Sequence, residues 1–296
     1  IPQVKYGSIG GSGTWGARFP EDLNRDDVEI VDIFEDGFET PYGRTIPYKL
    51  LRIEGELVLR VAMHGIHYDQ DRSISRSHYD AAKQLASVFQ QAGVNWAFVD
   101  ASVGGIQKPD APGKPLPPWS VVITDDFFML WRPKDDNPFV TEGARNPRMG
   151  EPLCGALRKA LYDAAKGESR FDAVYDHGVY VCTPWGRFET WPEIKMFADM
   201  GAHIVGMTLA HEVPLMRQLG IHLASLNIVS NYAEGTTDEW IGDDAGDMAQ
   251  FYFDCAPIVG NVMVDALRTV IGAGPSACNC DDYKLEALHK FPVPGA

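Results

Sequence analysis

Two spacings of apolar residues alternate along this chain. Runs at 56–65 (ELVLRVAMHG), 95–105 (NWAFVDASVGG), 119–130 (WSVVITDDFFML), 178–183 (GVYVCT), 203–208 (HIVGMT) and 222–230 (HLASLNIVS) predict strands. The stretch VKYGSIGGSG (4–13) predicts a strand running into a glycine turn. Between them, residues 77–93 set Ala81, Leu85, Val88 and Phe89 at helical spacing, with Gly93 as a natural stop. Helices are also predicted over 155–166, over 191–201 with Pro192 in its first turn, and over 211–220. Residues 247–272 read as one long amphipathic helix, with Pro257 as a point of interruption. Alternating strands and helices predict an α/β fold of three layers. The Pro- and Gly-rich segment 107–118 reads as a surface loop within a single domain spanning 1–296.

Composition narrows the function without naming it. The chain has 296 residues, 45% of them hydrophobic, enough for a sizeable core. A net charge of −15 argues against nucleic acid and anionic membranes as partners, although a local pocket can still take a small anion. Five scattered cysteines do not form a disulfide framework and point to a reducing, cytoplasmic setting. The close pair Cys278-Asn279-Cys280 is expected to be two surface thiols, a local disulfide being the alternative. No uninterrupted apolar run of about 18 residues predicts a membrane span, and no signal-peptide pattern is visible.

Candidate chemistry sits at the strand ends, where α/β folds place ligands. Those ends carry Gly10-Gly11-Ser12-Gly13, Met63-His64-Gly65, Ala101-Ser102, Met207-Thr208 and Ser230-Asn231. One such cluster is an ordinary turn; five at equivalent places imply a shared pocket. His64 and His67 would point to opposite faces of a strand and have no third ligand, so no metal is expected.

The stretch 177–235 resembles the trimeric purine nucleoside phosphorylase and methylthioadenosine phosphorylase family. The resemblance rests on the Tyr-Val-Cys strand, Arg187-Phe188-Glu189-Thr190, Pro192-Glu193-Ile194, Val205-Gly206-Met207-Thr208 and Asn231-Tyr232-Ala233. The glycine turn, His64-Gly65 and VDASVGGI (99–106) follow in family order. The resemblance implies a twisted mixed sheet, partly closed into a barrel and flanked by helices. It also implies assembly as a homotrimer or homohexamer, a nucleoside as substrate, and inorganic phosphate as co-substrate with no cofactor. By the same resemblance Phe188 stacks on the base, Glu189 accepts its N1–H, and Met207 lies against the ribose with Ser102. Asn231 donates to the departing purine, and Ser12, His64, Ala101 and Thr208 hold the phosphate. A Glu189/Asn231 pair suits a 6-oxopurine, since a 6-aminopurine offers no N1–H to a carboxylate.

The sequence departs from the family pattern at the phosphate site, at 184–186 and in the C-terminal helix. Met63 stands where an arginine is expected beside His64, removing a bidentate phosphate donor. Asp100, before Ala101-Ser102, brings a carboxylate that would repel the anion. Arg60, three residues before Met63, is expected on the opposite face, which leaves Arg72 or Arg76 of the 67–80 loop as replacements. Pro184-Trp185-Gly186 replaces Glu-Gly-Pro, so Trp185 adds bulk near the base, and no histidine near 243–249 stands ready for a 5′-hydroxyl. Phosphorolysis of a 6-oxopurine nucleoside is the first expectation. A methylthio-nucleoside phosphorylase, a nucleosidase in which Asp100 orients water, and a silent nucleoside sensor are the alternatives.

Overall fold

The computed structural model describes residues 1–66, 77–132, 139, 147–184, 186–239, 248–274 and 277–283. In chain order the elements are β1 (Tyr6–Ile9), β2 (Val28–Phe34), β3 (Glu39–Thr40), β4 (Gly43–Arg44), β5 (Tyr48–Ile53), β6 (Glu56–Val61), α1 (His78–Ala92) and β7 (Trp96–Gly105). They continue with β8 (Val121–Ile123), β9 (Asp126–Met129), α2 (Gly155–Ala165), β10 (Val174–Tyr175), β11 (Val179–Cys182) and α3 (Trp191–Asp199). The last are β12 (Ile204–Gly206), α4 (Leu209–Leu219), β13 (His222–Tyr232) and α5 (Met248–Ala273).

Eleven strands form one mixed sheet, eight of them in the order β10-β8-β13-β7-β1-β6-β5-β2 and three, β12, β11 and β9, on a branch. Its centre is parallel: β13, β7, β1 and β6 run side by side, so their C-terminal ends come together. At its far end β7 branches, pairing antiparallel with β12 through Gly104 and Gly105, and β12 leads on to β11 and β9. The expected barrel takes only this form. Among the described residues no ladder joins β9 back to β8.

Helices cover both faces of the sheet. Leu85 and Phe89 of α1 and Val213 and Met216 of α4 pack on one face. Leu157 and Leu161 of α2, with Phe251, Val259, Met263 and Leu267 of α5, pack on the other. Each fully buried Leu, Phe or Met side chain contributes roughly 1.5–3 kcal/mol relative to an exposed one. The helix ends follow local chemistry: Ser77 Oγ accepts from Asp80 N at 3.1 Å to start α1, and Gly93, at φ 76°, stops it.

The structure alters several sequence expectations. The run 119–130 splits into β8 and β9, because Asp125 accepts from Gly178 N at 2.8 Å and the two halves pair with different neighbours. The β2–β5 pair, an antiparallel flap at the sheet edge, has no strong periodic signal. Pro257 does not interrupt α5, which continues to Ala273. By length and composition α5 could cross a membrane, but its apolar stripe faces α2 and the sheet.

Candidate active site

A cavity of about 800 Å³ opens at the gathered strand ends. All five clusters reach it: Ser12 after β1, Met63 and His64 after β6, Ser102 on β7, Met207 and Thr208 after β12, and Ser230 and Asn231 on β13. The β13–β7 register shifts between Val229 and Asn231, leaving Ser230 as an extra residue. Such a bulge re-aims side chains, and here two successive residues of one strand both face the cavity.

One part of the cavity wall is a ring of hydroxyls around an imidazole. Ser12 Oγ and Ser102 Oγ share a hydrogen bond of 2.6 Å, Ser102 N donates to Ser12 Oγ at 3.1 Å, and Tyr252 Oη lies 3.1 Å from Ser102 Oγ. Thr208 Oγ1 lies 3.3 Å from His64 Nε2. Behind the ring, His64 Nδ1 meets Glu212 Oε1 at 2.6 Å. Burial works against a charged imidazole, yet the Glu212 carboxylate, its hydrogen bond and the Asp100 charge outweigh it and hold His64 above its ordinary pKa. His78, also on the cavity wall, goes the other way: burial and the His64 and His211 charges push it down to about 3.

His64 reaches this position through backbone geometry. The strand expected over 56–65 ends at Val61, and Met63, His64 and Gly65 follow with φ of 48°, 54° and 75°. Left-handed conformations cost energy outside glycine and persist where the surroundings hold them. The hold is His64 N donating to Gly10 O at 2.7 Å. Gly11 passes so close that a Cβ there would sit 2.1 Å from the Asp100 carbonyl oxygen and 2.3 Å from His64 Nε2.

Beneath the glycine turn lies the charge pair that corrects the expectation for Asp100. Asp100 is fully buried, accepts from Gly11 N at 3.0 Å and Thr14 Oγ1 at 2.9 Å, and is not part of the cavity wall. Arg60, also buried, donates to Ser8 Oγ at 2.7 Å and Thr14 Oγ1 at 2.9 Å and stacks 3.6 Å over the Phe19 ring. Burial pushes its guanidinium down to about 10 against the Asp100 charge. Asp100 is therefore a brace for the turn, offset by Arg60, with its carboxylate on Gly11 N and Thr14 Oγ1 and off the cavity wall. Ala101, next on β7, points away from the cavity that Ser102 lines.

The cavity is also lined by Glu189, Asn231, Phe188 and Met207, the residues expected to meet the nucleoside. Glu189 is buried and accepts from Thr183 Oγ1. Asn231 Oδ1 accepts from Ser230 Oγ at 2.9 Å while Asn231 Nδ2 donates to Tyr232 O at 2.9 Å. Phe188, 55% exposed, stands at the mouth, and Met207 lines the wall. Arg187 reaches Glu193 with two bonds of 2.7 and 2.8 Å, and Glu193 also accepts from Thr190 N at 2.8 Å. That clamp fixes the start of α3 and hence the turn that presents Phe188 and Glu189.

Trp15, Tyr252 and Glu212 were not singled out from the sequence. Glu212 follows Thr208 by one helical turn, a spacing that puts both on one face. For Trp15 and Tyr252, which meet edge-on at 5.7 Å beside the cavity, there was no such signal. Trp185, His67, Arg72, Arg76 and residues 240–247 lie outside the described residues.

Fold and site together define a nucleoside-processing α/β enzyme, and comparison with known proteins gives the family. Residues 8–251 match the family model described as the phosphorylase superfamily. The chain belongs to the phosphorylase superfamily, in the branch of purine nucleoside and methylthioadenosine phosphorylases. It is 32% identical over 231 residues to an S-methyl-5'-thioadenosine phosphorylase of Thermococcus kodakarensis, covering 77% of this chain and 79% of that one. It is 30% identical to a probable 6-oxopurine nucleoside phosphorylase of the same organism, with the same coverage. In fold it is similar to the methylthioadenosine phosphorylase of Schistosoma mansoni in complex with adenine, with a TM-score of 0.69, 22% identity, and 91% and 92% of the two chains covered.

Proposed function

We propose that this chain cleaves the N-glycosidic bond of a 6-oxopurine nucleoside by phosphorolysis, giving free base and ribose-1-phosphate. The observation that carries the reading is one cavity lined by Glu189 and Asn231 together with Ser12, Ser102, Thr208 and His64. A phosphate oxygen forms the new bond to C1′ as the C1′–N9 bond breaks and its electron pair passes to the purine. Asn231, turning its amide from Tyr232 O, donates to the base where that charge gathers. Glu189 accepts N1–H and selects the 6-oxo form. Phe188 covers the base, and Met207 and Ser102 flank the ribose.

The hydroxyls of Ser12, Ser102 and Thr208 donate to phosphate, and His64, whose protonated form the Glu212 carboxylate favours, faces the anion on a wall where Met63 replaces arginine. Among the described cavity residues the one arginine, Arg187, is engaged with Glu193. Two observations weigh against hydrolysis: the named relatives are phosphorylases, and Asp100 is committed to the glycine turn. No cofactor takes part. The Met63, Ile66 and Met248 side chains give the wall an apolar stretch that favours a methylthio group as a second reading of the 5′ substituent. Assembly as a homotrimer or homohexamer and a cytoplasmic location, in keeping with five cysteines that form no disulfide with one another, complete the proposal.

The test is a panel of inosine, guanosine, adenosine, methylthioadenosine and methylthioinosine, with phosphate present or rigorously removed. Base release that needs phosphate and yields the sugar phosphate is the expected result. Release that ignores phosphate and yields free ribose overturns it.

A further inference from the structure

Far from the cavity, four side chains converge with no role in the reaction above. Cys154, His222, Cys278 and Cys280 each direct one ligand atom to a common point, all within 4.8 Å of one another. His222 and Asn231 lie at opposite ends of β13, nine residues or about 30 Å apart, so this point is remote from the chemistry. Cys154 and Cys280 are buried, and Cys278 and His222 half-buried. Cys280 is thus not the surface thiol that the sequence suggested.

We propose that these four residues form a closed Cys3His site for a structural zinc ion. Four protein ligands in a tetrahedron leave no open position, the mark of a structural rather than a catalytic site. With Zn–S near 2.3 Å and Zn–N near 2.0 Å, the corners of that tetrahedron stand about 3.5–3.8 Å apart. His222 Nδ1 already lies 3.4 Å from Cys278 Sγ, and the widest pair, within 4.8 Å, needs to close by only about 1 Å. The odd number of cysteines fits a metal better than a disulfide, which would strand one thiol and leave the imidazole without purpose.

The surroundings fit the charge. Three thiolates and Zn2+ leave a net charge of −1, and the buried Arg217 donates to Cys280 O at 3.4 Å. The ligands also come pre-placed: Cys154 N donates to Leu223 O at 2.8 Å, fixing the residue before α2 beside the start of β13. The ion would tie the segment after α5 to those two elements, a link between distant parts of the chain that the unfolded state lacks.

Metal analysis of the full-length protein, reduced, exposed to zinc and then desalted, tests this directly. One zinc per chain is expected. Replacement by Co2+ should give the thiolate-to-cobalt charge-transfer absorption and the intense d–d bands of a tetrahedral site. Cys278→Ser, at the half-buried ligand, should lose those bands yet keep a native circular dichroism spectrum, while Cys255→Ser should retain them. Chelation should lower the thermal midpoint of the wild type and leave that of Cys278→Ser unchanged. No bound metal with the thiols reduced, or a disulfide within the cluster that persists when zinc is supplied during expression, overturns the proposal.

Discussion

The imidazole of His64 and the carboxylate of Glu212 meet at 2.6 Å across 148 residues of chain, both side chains almost wholly shielded from water. The left-handed turn after β6 delivers one partner and the first turn of α4 the other. Their meeting fixes which ring nitrogen of His64 faces Thr208 and the cavity. Glu212→Gln keeps the shape and removes the charge that favours the imidazolium. Phosphate KM should rise by roughly tenfold, the effect of about 1.4 kcal/mol of lost charge interaction, with a smaller change in nucleoside KM. Initial rates at varied phosphate check this. An equal rise in both constants would place His64 away from the anion.

The raised pKa of His64 also sets a pH dependence. A group whose folded pKa lies above its unfolded value, here near 6.5, stabilises the fold fully below that unfolded value. The contribution is lost as pH rises through the folded pKa. Unfolding free energy and phosphate affinity should therefore decline together as pH rises from about 6.5 through the raised folded pKa. Urea denaturation across pH, repeated with His64→Gln, reads this out: the variant should show a flatter profile in that window.

Asn231 carries the leaving-group role. Asn231→Ala should cut turnover about a hundredfold or more, as the loss of one preorganised donor does elsewhere, while thermal stability changes little. Asn231→Asp should shift preference toward 6-aminopurines. Unchanged rates for Ala, or unchanged base preference for Asp, would show that the base sits elsewhere in the cavity.

The Arg60–Asp100 pair makes a prediction about stability. Arg60→Leu leaves Asp100 buried without its compensating charge and should cost roughly 3–5 kcal/mol, seen as a lower denaturant midpoint. Arg60→Leu combined with Asp100→Asn should recover much of that loss. Gly11→Ala, which forces a methyl against Asp100 O and His64 Nε2, should cost roughly 1–3 kcal/mol and lower activity through the displaced imidazole. Calorimetry and steady-state kinetics on the same preparations separate the two effects.

Much of this molecule follows from local pattern alone. Helical spacing and a glycine stop mark α1, and β7 and β13 are long apolar runs that the structure keeps nearly intact. The segment Arg187–Thr190 was legible because its aromatic and charged residues exceed what a helix start requires. Four of the five strand-end clusters could be placed in one pocket because parallel strands bring equivalent ends together, and Met207-Thr208 joins them through the antiparallel β12–β7 branch. What stayed hidden depends on contacts between distant parts of the chain. Strand periodicity keeps Arg60 and Asp100 out of the cavity only once β6 ends at Val61 and the glycine turn closes over them. The bulge at Ser230 exists only in the register of β13 against β7.

Local pattern along the chain carries the helices, the central strands, the α/β class and the residue types at the pocket, because propensity, caps and hydrophobic period act over a few neighbouring residues. Contacts across the fold set which charges face the cavity and which brace it, and bring Cys154, His222, Cys278 and Cys280 to one point. Those outcomes rest on through-space distance between segments up to a hundred or more residues apart, which no local spacing encodes.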